Sequence, residues 1–70
     1  MPKYVIEIGK TYRRKTVYGF RYATVTKIDL FNAEVYYDTI DVPYGNETCK
    51  EEYYNQQIGI EDFIEIYSND

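Results

Sequence analysis

From Tyr22 to Asp41 apolar and polar positions intermix in two β-rich runs, YATVTKID and EVYYDTID, separated by an Asn-containing break. Val25 and Ile28 stand among threonines before the break, and Val35, Tyr36 and Tyr37 follow it. These β-branched and aromatic types suit a pleated, half-buried surface, so the stretch predicts a β-hairpin around which the rest of the chain packs. Asp29 and Asn32 are suited to bend the connection, because their short polar side chains bond nearby backbone and Asn tolerates positive φ.

Shorter segments flank the hairpin. Tyr4-Val5-Ile6-Glu7-Ile8 predicts a first strand that buries Tyr4, Ile6 and Ile8, broken by Gly9-Lys10. Thr11 to Lys15 reads as a short basic strand or a loop edge, and Val17-Tyr18-Gly19-Phe20 as a turn pivoting on Gly19. Asp41-Val42-Pro43-Tyr44-Gly45-Asn46 combines a fixed φ with a free one and predicts a loop apex that ends the third strand. Glu47 to Gln57 mixes helix formers with Thr48, Tyr53 and Tyr54; without a helical apolar stripe it reads as strand. Ile58 to Phe63 predicts a single helical turn before a last strand, Ile64-Glu65-Ile66-Tyr67. Ile-Glu-Ile thus occurs near both ends, and pairing first and last strands would remove exposed sheet edges.

The stretches Gly9-Lys10-Thr11-Tyr12, Tyr22 to Asp29 running into Glu34-Val35-Tyr36-Tyr37, and Ile60-Glu61-Asp62-Phe63 before a closing strand together resemble the small SH3-like barrels of the Tudor or KOW type. The resemblance is one of pattern and covers most of the chain. It implies an all-β fold, a small SH3-like barrel of about five strands with at most one short helical turn, forming one domain over residues 1–70. Members of that group are mostly binding modules, so the resemblance implies binding rather than catalysis and names no ligand.

Seventy residues can bury only a thin core. Cys49 is the sole cysteine and histidine is absent, which excludes an internal disulfide and the usual nitrogen and sulfur ligands of a structural zinc site. Ten Tyr and three Phe remain to supply the packing; each Tyr can bury its ring while its hydroxyl reaches water or a backbone carbonyl. No long apolar run or secretory pattern is present, which predicts a cytoplasmic protein without a membrane span.

The formal net charge of −4 argues against bulk attraction to nucleic acid, but it is unevenly distributed. Residues 1–28 carry seven Lys or Arg against Glu7, whereas residues 29–70 carry eleven acids against Lys50. If basic and acidic strands pair across one sheet, the two halves neutralise each other.

Reactive chemistry finds little support. Gly9-Lys10-Thr11 matches the end of a phosphate-binding loop, but the glycine required five residues earlier is Tyr4. Asp38, Asp41, Asn46 and Glu47 offer oxygen ligands around Pro43-Tyr44-Gly45, yet their spacing is wrong for an EF-hand and reads better as a solvated acidic loop. Glu51-Glu52 and Glu61-Asp62 are adjacent pairs that diverge on a strand, and Cys49 has no histidine to act as its base. The expectation is therefore no enzyme, no cofactor and no metal.

Two surfaces compete. Tyr12, Arg13, Arg14 and Lys15, with Tyr18, Arg21 and Tyr22, interleave rings and cations as single-stranded nucleic-acid sites do. Tyr36, Asp38, Tyr44, Asn46, Glu47, Glu51, Glu52, Tyr53, Tyr54 and Asn55 instead form an acidic, Tyr-rich set suited to a basic protein surface. The acidic net charge favours the second. An acidic domain of this size also looks like the small inhibitors that phages and mobile elements direct against host or defence proteins. A thin core with rings in excess leaves a homodimer open.

Overall fold

A computed structural model of the protein describes residues 6–45 and 48–67. Four antiparallel strands, β1 (Thr11–Lys15), β2 (Gly19–Asp29), β3 (Glu34–Pro43) and β4 (Glu51–Gly59), lie side by side in chain order, followed by one helix, α1 (Ile60–Ile66). The fold is mostly β.

The central hairpin is the expected one. β2 and β3 pair from Gly19 opposite Pro43 to Asp29 opposite Glu34, with Thr26 bulged out between Val25 and Lys27. At the turn, Asp29 Oδ1 accepts the backbone N–H groups of Phe31 and Asn32 at 3.1 Å each, and Asn32 Nδ2 donates to Oδ2 at 2.9 Å. Led by the Asn32 side-chain bond, these donors hold the Asp29 carboxyl below its ordinary pKa. Ala33 closes the turn at φ 55, and its carbonyl accepts the Ile60 N–H at 2.9 Å, tying the hairpin to the start of α1.

Among the described residues only one face of the sheet is covered. Ala23, Val25, Val35 and Thr39 lie buried beneath Ile60, Phe63 and Tyr67. Phe63 is the centre of this layer, with ring centroids at 5.8 Å from Tyr12, 5.2 Å from Tyr37 and 4.6 Å from Tyr67. The rings supply the core only in part: Phe63 and Tyr67 are buried beside the aliphatic Ala23, Val25, Val35 and Ile60, Tyr12 and Tyr37 pack against them, and Tyr18, Phe31, Tyr44, Tyr53 and Tyr54 stay exposed. Burial raises the pKa of both Tyr37 and Tyr67.

Several expectations are corrected. The sheet of described residues is open and four-stranded, not a closed five-stranded barrel, because Ile64–Tyr67 belong to α1 and its C-cap rather than to a closing strand. Spacing explains this: as a helix, Ile60, Phe63, Ile64 and Tyr67 share one face and reach the core together, whereas a strand would have buried Ile64 with Ile66. Ile66 is instead exposed.

At the other end, Tyr4 lies outside the described residues, Ile6 packs against the core, and Ile8 sits 62% exposed in a turn around Gly9 (φ 90). Gly19 begins β2 and is required for closeness, not as a pivot: a Cβ there would stand 2.1 Å from the Val42 carbonyl oxygen. β3 runs through Pro43, past the predicted loop start. Tyr44 N–H bonds the Tyr18 carbonyl, so even-numbered residues here face β2 and Pro43 faces away, beyond the last β4 pair at Asp41–Glu51.

Candidate interaction surface

Strand order decides how the charges meet. β1 and β4 occupy opposite edges of the sheet, separated by three strand spacings, or about 14 Å. That exceeds the screening length at physiological salt, so the basic and acidic strands do not neutralise each other. Ion pairing between the two halves is confined, among the described residues, to Arg21 and Asp41 on adjacent β2 and β3, at 2.6 Å.

Alternation splits both candidate sets between the faces. On the helix-covered side, Tyr12 lies in the core and its hydroxyl accepts the Glu7 N–H at 2.9 Å; Arg14 shares that side, and Arg21 is engaged by Asp41. The Asp41 hydrogen bond raises the Arg21 pKa. Arg13, Lys15 and Tyr22 lie on the other side, where the Arg13 guanidinium stands 4.8 Å over the Phe20 ring. Tyr18 is 82% exposed in the β1–β2 turn. The interleaved basic set is therefore not one surface.

Half of the acidic set, Glu51 to Asn55, lies together along β4, with side chains that alternate between the faces, whereas Tyr36 and Asp38 lie on β3. Glu51 and Tyr53 share the side of α1, while Glu52 and Tyr54 share the open side with Tyr36 and Asp38. The Tyr53 hydroxyl donates to Glu51 at 3.3 Å and that of Tyr54 to Glu52. The neighbouring carboxylates raise both phenol pKa values, Glu51 mainly through charge and Glu52 mainly through the hydrogen bond. Each pair leans along the strand and leaves both faces of the edge acidic and aromatic.

Asn55 ends this stretch. It adopts φ 58 in a bulge where Tyr54 and Asn55 together oppose Asp38, whose Oδ1 accepts the Asn55 N–H at 3.0 Å. Tyr44 lies apart, donating its hydroxyl to the Thr16 carbonyl at 3.1 Å, with its ring centroid 5.3 Å from that of Phe20 in an edge-to-face arrangement. Asn46 and Glu47 lie outside the described residues.

The sequence reading missed Phe20, Ile40, Val42 and Lys27, which join Tyr22 and Tyr36 on the open side; Lys27 Nζ stands 5.2 Å over the Tyr36 ring. The signal was present in the strand periodicity, since Phe20 and Tyr22 share one phase of β2 while Tyr36 and Tyr37 put rings on both phases of β3. A recess of about 650 Å³ lies near Gly19, Pro43 and Cys49, but its Arg21 and Asp41 already satisfy each other. Among the described residues no group of His, Cys, Asp and Glu is placed to hold a metal ion, and no helix is long and apolar enough to cross a membrane. Asp38 and Asp41 in particular fall on opposite sides of β3. Comparison of the chain with protein-family models, with curated proteins and with solved structures gives no match.

Proposed function

We propose that the protein is a non-enzymatic interaction module whose β4 edge takes up an extended basic segment of a partner protein. The observation that carries this reading is the run Glu51 to Tyr54: it lies on a terminal strand, all four residues are exposed, and no described cation pairs with its carboxylates. A strand added to such an edge gains main-chain hydrogen bonds, while alternate side chains select its sequence. Carboxylates on both faces select Lys and Arg on both faces of the incoming strand, and the two tyrosines add contact area at small entropic cost. A small acidic domain that covers a basic surface in this way would inhibit a protein that uses the surface to hold nucleic acid.

The test is a titration with a short peptide alternating Arg and Val, followed by amide chemical shifts. Binding should perturb residues 51–54 and weaken when Glu51 and Glu52 become Gln. It should also weaken when alternate peptide nitrogens are methylated, because ladder bonds are lost. A single-stranded oligonucleotide is the competing ligand. Salt-sensitive oligonucleotide binding that disappears on changing Arg13, Arg14 and Lys15 to Gln would overturn the proposal in favour of the nucleic-acid reading.

A further inference from the structure

Resting on the reading of β4 as an acceptor for a basic strand, we infer that β1 of a second copy of this chain is such a strand, so that copies add head to tail along the sheet. Cross-strand rows carry the inference. One row reads Arg14, Arg21, Asp41, Glu51 from β1 to β4; the next reads Arg13, Tyr22, Ile40, Glu52; a third reads Tyr12, Ala23, Thr39, Tyr53. The first two begin with a cation at one edge and end with a carboxylate at the other. A copy displaced straight along the sheet continues all three rows, placing Arg14 opposite Glu51, Arg13 opposite Glu52 and Tyr12 opposite Tyr53.

Strand direction permits this. With four antiparallel strands the two outer ones run in opposite senses, so a displaced copy extends the antiparallel ladder without being turned over. Hydrogen-bond phase agrees as well. Bonds from Thr16 N–H to the Gly19 carbonyl and from Val25 N–H to the Lys10 carbonyl show that even-numbered β1 residues face β2, leaving the backbone of Thr11 and Arg13 outward. Odd-numbered β3 residues face β4 at Asp41–Glu51 and Thr39–Tyr53, leaving the backbone of Glu52 and Tyr54 outward. The same displacement pairs Arg13 with Glu52 and Thr11 with Tyr54, the outward residues of each edge. Lys15 then meets Lys50, a like-charge contact that ends the ladder. Such a contact uses two different edges and leaves one of each free, so it grows beyond a dimer unless the rotation closes a ring.

Sedimentation velocity decides the matter. At low salt the wild type should show a weight-average sedimentation coefficient that rises with concentration, and high salt should abolish the rise. R13E/R14E has two acidic edges and E51R/E52R two basic ones, so each alone should remain monomeric, whereas an equimolar mixture should associate. Circular dichroism of each variant checks that it is folded. A wild type that stays monomeric at high micromolar concentration and low salt overturns the inference, as does a folded mixture that fails to associate. Monomer that still binds the Arg-Val peptide at residues 51–54 would sink self-assembly alone, while assembly without peptide binding would sink only the foreign partner.

Discussion

Arg21 donates from Nε to Asp41 Oδ1 at 2.6 Å and from Nη2 to Oδ2 at 2.8 Å, so one guanidinium holds both oxygens of a carboxylate on the neighbouring strand. Among the described residues it is the one ion pair between the basic first part of the chain and the acidic second part. Both side chains are partly open to solvent, at 38% and 25%, so screening keeps the contribution small despite the geometry. Arg21→Lys removes the fork and should lower stability by up to about 1 kcal/mol in urea unfolding, with less effect at high salt.

Phe63 offers the opposite case. Its ring is 1% exposed and touches three tyrosine rings, so Phe63→Ala should cost about 3–5 kcal/mol. That approaches the whole stability of a domain this small, on the order of 4–10 kcal/mol. The variant should lose its cooperative thermal transition, which near-ultraviolet circular dichroism of the tyrosines would show.

Titration of the half-buried Tyr37 and the buried Tyr67 gives a prediction with a definite sign. Burial raises the folded-state pKa of Tyr37 and Tyr67 above the ordinary 10.0, so the folded chain holds protons that the unfolded chain releases. Their stabilising contribution is complete below pH 10 and is lost as pH rises through the folded values. Alkaline unfolding followed by circular dichroism should coincide with a late phenolate absorbance step, and that step should shrink in Tyr67→Phe.

Asp29 behaves in the reverse manner. Its depressed pKa means that the turn bonds stabilise fully above the ordinary value of 3.8 and fade as pH falls through the folded value. Acid titration of the wild type against Asp29→Ala should show stability curves that converge at low pH.

Gly19→Ala should destabilise by more than about 1 kcal/mol, because its Cβ would collide with the Val42 carbonyl rather than meet an open turn. Ala at Gly45, where no atom lies within 4 Å of the added carbon, tests backbone φ alone.

The hairpin was legible because the β-branched and aromatic residues of Tyr22–Asp29 and Glu34–Asp41 and the turn chemistry of Asp29 and Asn32 are local signals. β4 was legible only in part: Tyr53 and Tyr54 point to a strand where Glu, Lys and Gln also suit a helix, and the strand runs from Glu51 through Ile58 and Gly59, which read as the start of the helical turn. Ile64–Tyr67 was not, since Ile-x-Ile fits a strand as well as one side of a helix, and contacts of Phe63 with Tyr12 and Tyr37 from distant strands settle it. The candidate residues were visible by type but not by arrangement: nothing local says that Arg13 and Glu52 end at opposite edges of one sheet.

The Asn55 bulge gives the β4 edge a measured length. Tyr54 and Asn55 share one opposing residue, and the hydrogen-bonding phase of the strand changes there. An incoming strand that keeps its own phase can follow Glu51 to Tyr54 and must then part from the edge, so the bulge acts as a ruler. Extending a basic peptide past this point should add little affinity, and the domain should distinguish partners by where their cations fall within a four-residue window.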